Sequence, residues 1–244
     1  MENSVAFDRG NTMVKVTRFV GTEPVESERH ERLTSEIVEQ AARHADVAIF
    51  SSVGNDTDEA LALLNRHFRR VYNLTEQLPL PIAVDYDRAR LGNDRIASAV
   101  GAHDAFPGRN ILVVDAGTAI TLDLVDANGT FRGGNIALGI RSRLRALHDY
   151  TSRLPLVDLE GDTPLIGITT ETAMRSSAIA GAAAEVADLH RRLRQAGFDD
   201  LLTVVTGGDG ALLFNRLRDD IDCVADYNIL AKGLNSILRY NEQI

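Results

Sequence analysis

The chain lacks tryptophan, has a single cysteine and contains few aromatic residues. Its 244 residues include five Tyr and eight Phe, so aromatic side chains make up only 5%. One cysteine excludes a disulfide framework and a zinc site built on cysteines. So few rings also disfavour a stacking surface for single-stranded nucleic acid. The lone thiol, Cys223, lies in an apolar run and is expected to be a small buried residue.

Long apolar segments and an excess of positive charge are also missing. No run approaches the roughly 20 apolar residues of a membrane span. The first twenty residues contain Glu2, Asp8, Arg9, Lys15 and Arg18 instead of the apolar core of a signal peptide. We therefore expect no membrane association and a cytoplasmic location. The formal net charge of −9 also argues against nucleic acid as a partner, because binding its phosphates needs clustered Lys and Arg.

What is present is typical of a globular α/β protein. Hydrophobic residues account for 44% and charged residues for 25% of the chain, and its length suits one large domain or two of about 120 residues. The segment Ala105-Phe106-Pro107-Gly108 reads as a hinge, because Pro and Gly interrupt regular structure. It divides the chain into predicted halves at 1–106 and 107–244.

Hydrophobic periodicity predicts strands and helices in both halves. In the first half we predict strands at 5–8, 13–20, 47–50, 71–74 and 82–84, and helices at 31–44, 58–68 and 94–103, with polar residues 21–31 as a connection. In the second half we predict strands at 110–115, 121–125, 130–131 and 202–205, and helices at 140–150, 170–194, 209–218 and 228–241. Strand meanders followed by helices in each half predict a duplicated α/β unit with a ligand cleft between the copies.

One short pattern occurs twice, as Phe7-Asp8-Arg9-Gly10-Asn11-Thr12 and as Val113-Val114-Asp115-Ala116-Gly117-Thr118-Ala119. Each copy places a carboxylate, a glycine and a hydroxyl beside a predicted strand. The Asp can orient Mg²⁺, the Gly lets backbone approach a phosphate, and the Thr hydroxyl bonds phosphate oxygens. Two such loops would hold opposite ends of one nucleoside triphosphate.

The same residue types also build ordinary hairpin turns, so a single copy would more often be a turn. A second copy at the corresponding place, again followed by a β-rich run, favours the phosphate interpretation.

Further glycine-containing segments have two interpretations each. Gly92-Asn93-Asp94-Arg95 is either a helix start with surface charge, or a general base, Asp94, beside a clamp for a substrate carboxylate, Arg95. Thr206-Gly207-Gly208 is either a plain helix entry or the place where adenosine and the α-phosphate lie over a helix N-terminus. Gly133-Gly134 is either a tight turn or a point of close ligand approach.

Taken in order, these segments resemble the type III pantothenate kinases, members of the actin, sugar-kinase and heat-shock chaperone superfamily. The resemblance covers nearly the whole chain and is carried by Asp8-Arg9-Gly10-Asn11-Thr12, Ser51-Ser52-Val53, Gly92-Asn93-Asp94-Arg95, Asp115-Ala116-Gly117-Thr118-Ala119, Gly133-Gly134-Asn135-Ile136, Gly167-Ile168-Thr169-Thr170, Thr206-Gly207-Gly208-Asp209 and Leu230-Ala231-Lys232-Gly233-Leu234. It implies a duplicated ribonuclease H-like (actin-like ATPase) fold, with two α/β halves around a central cleft.

The resemblance also implies the activity and its partners. The expected reaction is ATP-dependent phosphorylation of pantothenate to 4′-phosphopantothenate, the first step of coenzyme A biosynthesis. The expected cofactors besides ATP are Mg²⁺ and a monovalent cation, K⁺ or NH₄⁺, and the expected assembly is a homodimer.

Residue roles follow from the same resemblance. Asp94 matches the catalytic base, and Asp8 and Asp115 match metal-linked positions. Pantothenate-binding positions are matched by Tyr86, Gly92, Asn93, Arg95 and Thr170, the last reaching the site of the partner subunit. Nucleotide-binding positions are matched by Asp8, Gly10, Asn11, Thr12, Lys15, Gly117, Thr118, Gly207 and Gly208.

Two other functions stay open at this stage. One is a kinase for another small hydroxy acid, which the Asp94-Arg95 pair disfavours. The other is a non-catalytic ATP-binding regulatory protein on the same scaffold, which has no need of Asp8, Asp94 and Asp115 together.

Overall fold

A computed structural model describes residues 3–10, 13–52 and 57–244, and Asn11, Thr12 and Val53 of the motifs above lie outside them. In chain order the strands are β1 Asn3–Arg9, β2 Val14–Val20, β3 Glu23–His30, β4 Val47–Ser52, β5 Arg70–Asn73, β6 Ala83–Val84, β7 Asn110–Ala116, β8 Ala119–Val125, β9 Thr130–Leu138, β10 Leu201–Thr206 and β11 Cys223–Ala225. The helices are α1 Ser35–Ala42, α2 Thr57–His67, α3 Asn93–Ala105, α4 Ile140–Asp149, α5 Thr170–Gln195, α6 Gly210–Leu217 and α7 Ile229–Gln243.

The chain divides into two compact units. The first comprises Met1–Pro107, Gly129–Phe131 and Asn228–Ile244, and the second comprises Gly108–Asn128 and Arg132–Tyr227. This division differs from the predicted halves 1–106 and 107–244, because helix α7 and a three-residue segment near residue 130 belong to the first unit.

The first unit is built on a sheet with the strand order β3-β2-β1-β4-β5. The first three strands form an antiparallel meander, and β4 and β5 run parallel to β1. Because β1, β4 and β5 run in one direction, their carboxyl ends lie at one edge of the sheet, which is where α/β folds bind ligands.

The two sides of strand β1 pack against different helices, because the side chains of successive strand residues point to opposite sides of the sheet. Val5 and Phe7 are fully buried in a core shared with Leu64 of α2. Ser4, on the other face, donates a 2.5 Å hydrogen bond from its hydroxyl to the amide oxygen of Asn235 in α7. The sheet is therefore covered on both sides within the first unit.

Helices α3 and α7 cross with their backbones in contact. A Cβ atom at Gly233 would lie 1.7 Å from the carbonyl oxygen of Ala97, and one at Gly101 would lie 2.1 Å from that of Ile229. No larger residue fits at either position unless the helices separate. These two glycines thus fix α7 against α3.

The second unit repeats the strand order of the first. Its sheet runs β9-β8-β7-β10-β11, with β7 antiparallel to β8 and parallel to β10, which is parallel to β11. Helices α4, α5 and α6 pack on it over a core that includes Leu112, Val114, Ile140, Ile179 and Leu213. The short strand β6 pairs with Thr130 and Phe131, the first residues of β9, and lies with them in the first unit. The predicted duplication of an α/β unit is confirmed.

Some local predictions are wrong. Residues 23–30, expected in a connection, form strand β3, and Gly133-Gly134 lies within β9 instead of in a tight turn. Strand β11 was not predicted, and its first residue, Cys223, is only partly buried. The other elements lie close to their predicted positions. In residues 3–10, 13–52 and 57–244, no helix is both long and apolar enough to cross a bilayer.

Candidate functional site

The carboxyl edge of the first sheet brings three polar side chains together. Asp8, near the end of β1, lies opposite Lys15 of β2 and opposite Ser51 of β4. Residues directly opposite each other on paired strands share a face of the sheet. Asp8 and Lys15 are half-buried, whereas Ser51 is 1% exposed. The sequence thus places a carboxylate, an ammonium and a hydroxyl side by side.

Lys15 is held by a residue from the far end of the sequence. Its Nζ donates a 3.0 Å hydrogen bond to Oδ1 of Asn228, the residue before α7. The backbone N–H of Gly10 donates to the carbonyl of Met13 at 3.0 Å and closes the β1–β2 hairpin. Asn11 and Thr12, between these two residues, lie outside the described residues, so their nucleotide contacts stay a prediction.

The Gly-x-Asp-Arg element forms the start of helix α3. Gly92 is the N-cap, and Oδ1 of Asp94 accepts a 2.9 Å hydrogen bond from the backbone N–H of Arg95. A Cβ at Gly92 would lie 2.4 Å from that same oxygen, so a larger residue there would displace the carboxylate from this position. Asn93 donates from Nδ2 to the carbonyl of Leu74 at 2.8 Å, which ties the helix start to the residue after β5. The half-buried Asp94 therefore lies at the edge that carries Asp8.

Arg95 lies against two aromatic rings. Its guanidinium carbon is 5.5 Å from the ring centre of Tyr86 and 5.8 Å from that of Phe131. The two rings meet edge to face, with centres 6.2 Å apart. Arg95 is 6% exposed and Phe131 is fully buried, but Tyr86 is 40% exposed. A desolvated cation on aromatic walls, as here, gains a cation–π attraction that fixes its orientation.

Phe131 is a site residue that the sequence interpretation missed. Its carbonyl accepts a 2.9 Å hydrogen bond from the N–H of Asp85, next to Tyr86, and its strand pairs with β6. An apolar residue in a strand gives no chemical signal of its own. The sequence predicts a strand at 130–131 but does not indicate which residues it contacts.

In the second unit, the loop after β7 carries the second phosphate pattern. Asp115 pairs with Thr121 of β8 and with Thr206 of β10. The N–H of Gly117 donates to the carbonyl of Ala119 at 2.9 Å, so the loop is a tight turn. The Thr118 carbonyl accepts hydrogen bonds from the Gly139 N–H at 2.9 Å and from the Ser142 hydroxyl at 2.7 Å. These contacts fix the backbone of the turn and leave Thr118 exposed.

Gly207 and Gly208 have different environments. Gly207 has a φ of +91°, and a Cβ there would lie 2.4 Å from Oδ1 of Asp115 and 2.5 Å from the backbone nitrogen of Ala116. At Gly208 a Cβ would meet no atom within 4 Å. The fold itself therefore requires glycine at 207, whereas position 208 presents open backbone in front of α6.

A cation that the sequence interpretation missed lies beside this loop. Nε of Arg141 is 3.1 Å from Oδ1 of Asp209, the N-cap of α6. The N–H of Asp209 donates to the Ala116 carbonyl at 2.9 Å, which joins the two loops of the second unit. Arg141 thus connects the first turn of α4 to the start of α6 through an ion pair.

Thr170 is the exposed first residue of α5. The preceding residue, Thr169, forms a capping box with Thr172, in which each side chain bonds the backbone of the other. The helix start is well defined, and the contact predicted between Thr170 and a partner subunit stays a prediction.

The carboxylates of Asp8 and Asp115 are suited to a metal ion that binds together with the phosphates of a nucleotide. Within the part of the chain that the structure describes, no group of three or more His, Cys, Asp or Glu side chains is arranged to hold a metal ion. Mg²⁺ is commonly bound through one or two carboxylates together with waters and substrate phosphates. Single carboxylates at Asp8 and Asp115 match that mode of binding and do not match an all-protein cage.

Comparison with known sequences gives one consistent family. The profile of the family described as type III pantothenate kinase matches residues 4–192. A type III pantothenate kinase of Bacteroides fragilis is 39% identical over 241 residues, which cover 98% of each chain. One from Porphyromonas gingivalis is 38% identical over 253 residues, covering 99% of this chain and all of the relative.

Solved structures show the fold class. A ROK hexokinase from Thermus thermophilus aligns with a TM-score of 0.57 and 15% identity over 99% of this chain and all of that chain. An activator of 2-hydroxyisocaproyl-CoA dehydratase from Clostridium difficile, with bound ADPNP, aligns with a TM-score of 0.52 and 15% identity over 99% and 95% of the two chains. The predicted ribonuclease H-like, actin-like fold is confirmed.

Proposed function

The chain belongs to the type III pantothenate kinase family, and we propose that it transfers the γ-phosphoryl group of ATP to the 4′-hydroxyl of pantothenate. The product is 4′-phosphopantothenate, and the reaction is the first step of coenzyme A biosynthesis. One observation supports the residue assignment. Asp94 and Arg95 lie in the first turn of α3, at the sheet edge that also carries Asp8 and Lys15, and the guanidinium of Arg95 packs against the ring of Tyr86. All four residues lie in the first unit.

Asp94 acts as the general base. One carboxylate oxygen is oriented by the N–H of Arg95, and we assign the other to the proton of the acceptor hydroxyl. Phosphoryl transfer needs little covalent chemistry from the protein, so a base that positions the nucleophile is the main requirement on the acceptor side. Such a base typically contributes about 10²–10⁴-fold to the rate.

Arg95 binds the carboxylate of pantothenate. A guanidinium presents paired N–H donors that match a carboxylate, and the rings of Tyr86 and Phe131 hold this one in a fixed orientation. Tyr86 is exposed enough to contact the substrate itself. Gly92 and Asn93 form the adjacent backbone.

We assign nucleotide binding to three segments of the chain. Asp8, Gly10, Asn11, Thr12 and Lys15 form the first loop, Gly117 and Thr118 the second, and Gly207 and Gly208 the adenosine side. Asp8 would hold Mg²⁺ and Asp115 the monovalent cation, K⁺ or NH₄⁺. When bound, these cations neutralise charge on the phosphoryl oxygens. Lys15 contributes the same kind of stabilisation from the protein.

A homodimer and a cytoplasmic location complete the proposal. The dimer is supported by exposed apolar residues near Thr170, since Leu165, Ile166 and Ile168 are 96%, 76% and 92% exposed. Apolar patches of this kind commonly mark interaction surfaces. Thr170 would then contribute to the pantothenate site of the partner subunit.

An assay of ADP release tests the reaction. Purified protein is supplied with ATP and Mg²⁺, with and without pantothenate, in potassium or sodium buffer. Pantothenate-dependent ADP formation that is faster in potassium is the expected result. ADP formation only with another hydroxy acid, or nucleotide binding without turnover, would contradict the proposed reaction.

A further inference from the structure

We infer that Asn228 is a positioning residue for Lys15 and that it fixes this lysine relative to Asp94. The inference rests on the proposed function, in which Lys15 meets the phosphates of ATP. The two residues are 213 positions apart in sequence, yet Lys15 Nζ and Asn228 Oδ1 are 3.0 Å apart in a partly buried contact.

The chemistry of the pair suits a phosphate-binding lysine. A lysine side chain has a flexible four-carbon stem, and its rotamer freedom is lost when the ammonium is held in one place. The ammonium has three N–H donors, and Asn228 accepts from one of them. An amide oxygen is uncharged, so Asn228 orients the ammonium without adding negative charge to that of Asp8, which lies opposite Lys15 on β1.

The side chain of Asn228 is not used to start helix α7. Asn228 occupies the N-cap position, where an asparagine usually accepts a hydrogen bond from the first turn. Here its side chain makes no capping hydrogen bond, whereas its backbone carbonyl accepts from the N–H of Lys232 at 2.9 Å. The side-chain amide oxygen instead accepts from Lys15.

Asn228 is held firmly in place. It precedes Ile229, which is fully buried and whose carbonyl lies against Gly101 of α3. One turn later, Gly233 lies against Ala97 of the same helix. Since α3 begins with Asn93 and Asp94, the crossing connects the anchor of Lys15 to the element that carries the base. Asn228 thus sets the position of the phosphate-binding ammonium relative to the acceptor.

A double-mutant cycle tests this inference. We expect Asn228→Ala to raise the KM for ATP about tenfold, the effect of losing one hydrogen bond to a charged group, and to leave the KM for pantothenate within about twofold of the parent. In a Lys15→Met background, Asn228→Ala should add less than about a twofold further effect, because the lysine it positions is gone. Equal effects in both backgrounds would overturn the inference.

A matched control separates positioning from helix stability. Asn241 lies on the same helix and donates to the carbonyl of Pro79 at 2.9 Å. Asn241→Ala makes the same chemical change at the other end of α7 and should leave the KM for ATP unchanged. If Asn228→Ala lowers the Tm more than Asn241→Ala does, Asn228→Ser replaces it in the cycle, since serine also favours a helix start.

Calorimetric titration with ADPNP distinguishes this inference from the proposed reaction. The four proteins titrated are those of the cycle: the parent, Asn228→Ala, Lys15→Met and the double variant. If the parent shows no turnover with pantothenate, the reaction is wrong, but coupling between Asn228 and Lys15 in ADPNP affinity still supports the positioning role. Additive losses in affinity, or no ADPNP binding by the parent, would overturn that role.

Discussion

The guanidinium of Arg95 lies 5.5 Å from the ring centre of Tyr86, and the buried ring of Phe131 lies 5.8 Å from the same guanidinium. These three residues come from a loop, a helix and a strand, and Phe131 contacts Tyr86 edge to face. The apolar side chain of Phe131 therefore helps to determine the geometry of Tyr86 and Arg95, the predicted pantothenate-binding residues.

Replacing Phe131 should affect pantothenate more than ATP. We expect Phe131→Leu to raise the KM for pantothenate about two- to tenfold, the equivalent of the 0.5–1.5 kcal/mol of an aromatic pair. The KM for ATP should not change. Steady-state kinetics of Phe131→Leu and of Phe19→Leu, a substitution of another buried phenylalanine in the first unit, test this. A similar rise in both variants would contradict the specific role.

Removing the base should lower turnover without affecting nucleotide binding. Asp94→Asn keeps an oxygen that accepts from the N–H of Arg95, so the helix start is retained. We expect kcat to fall by about 10²–10⁴-fold, because an amide cannot take the hydroxyl proton. Asp104→Asn, near the other end of α3, is the control. Parental turnover in Asp94→Asn would show that another group is the base.

Substitution of Gly207 should disturb the second unit at the end of β7. Gly207→Ala combines a left-handed backbone, which costs about 1–2 kcal/mol, with contacts of 2.4 Å to the Asp115 carboxylate and 2.5 Å to the backbone of Ala116. Gly197 also has a positive φ, +98°, but a Cβ there meets nothing within 4 Å. Gly207→Ala should therefore lose about 1–3 kcal/mol more unfolding free energy than Gly197→Ala, as overpacking does. Urea denaturation of both variants measures the difference, and equal losses would rule out the contact.

Glu242 of α7 should stabilise the first unit in a pH-dependent way. Its Oε1 accepts from the Tyr72 hydroxyl at 2.5 Å and from Arg70 at 2.7 Å, and these hydrogen bonds lower the pKa of Glu242 from 4.5. Burial raises the pKa of Tyr72, so its hydroxyl remains a donor. A lowered folded-state pKa stabilises the protein above the unfolded value, and the effect is lost as pH falls through the folded value.

Glu242→Gln should therefore reduce the free energy of unfolding by about 1–2 kcal/mol at neutral pH, with the difference shrinking as the carboxylate titrates in acid. Chemical denaturation at a series of pH values tests this expectation. Glu39→Gln, which removes an exposed pair with Arg43, should have no measurable effect. A loss that is constant with pH would exclude the carboxylate as its source.

His190 should destabilise the second unit when the pH falls. Its Nδ1 lies 2.9 Å from the Thr203 hydroxyl in a buried contact, and burial, followed by the charge of Arg194, lowers the pKa of His190 below its ordinary 6.5. The unfolded chain then binds more protons than the folded chain below about pH 6.5, so stability falls as the solution is acidified. His190→Gln should remove this part of the pH dependence, and thermal unfolding between pH 7.5 and about 5.5 would measure it. An unchanged slope would contradict this.

The sequence predicted those parts of the site that are local in the chain. Asp8, Asp94 and Gly207 stand in short patterns whose chemistry is readable from neighbouring residues. Phe131 and Asn228 were missed because their roles arise only from contacts with residues far away in sequence. No residue pattern around either one points to its partner.

Structure that depends on contacts distant in sequence was also missed when the fold was predicted. Strands β1, β4 and β7 are buried apolar runs and were predicted. Strand β3, Glu-Pro-Val-Glu-Ser-Glu-Arg-His, has an almost entirely exposed surface, so it lacks the alternation that marks a strand. It is a strand because β2 offers it a hydrogen-bonding edge. Gly133-Gly134 resembled a turn, yet these residues continue β9, where a Cβ at Gly134 would lie 2.2 Å from the carbonyl oxygen of Leu122.

The return of α7 to the first unit has a consequence for synthesis on the ribosome. Residues up to Pro107 emerge early, but the surfaces of β1 and α3 that receive Asn235 and Gly233 have no cover until Ile229–Gln243 has been translated. At about 5–20 residues per second, this interval lasts roughly 7–27 s. During it the nascent first unit exposes the surfaces that α7 later buries, whereas the second unit is complete as soon as Tyr227 has been translated.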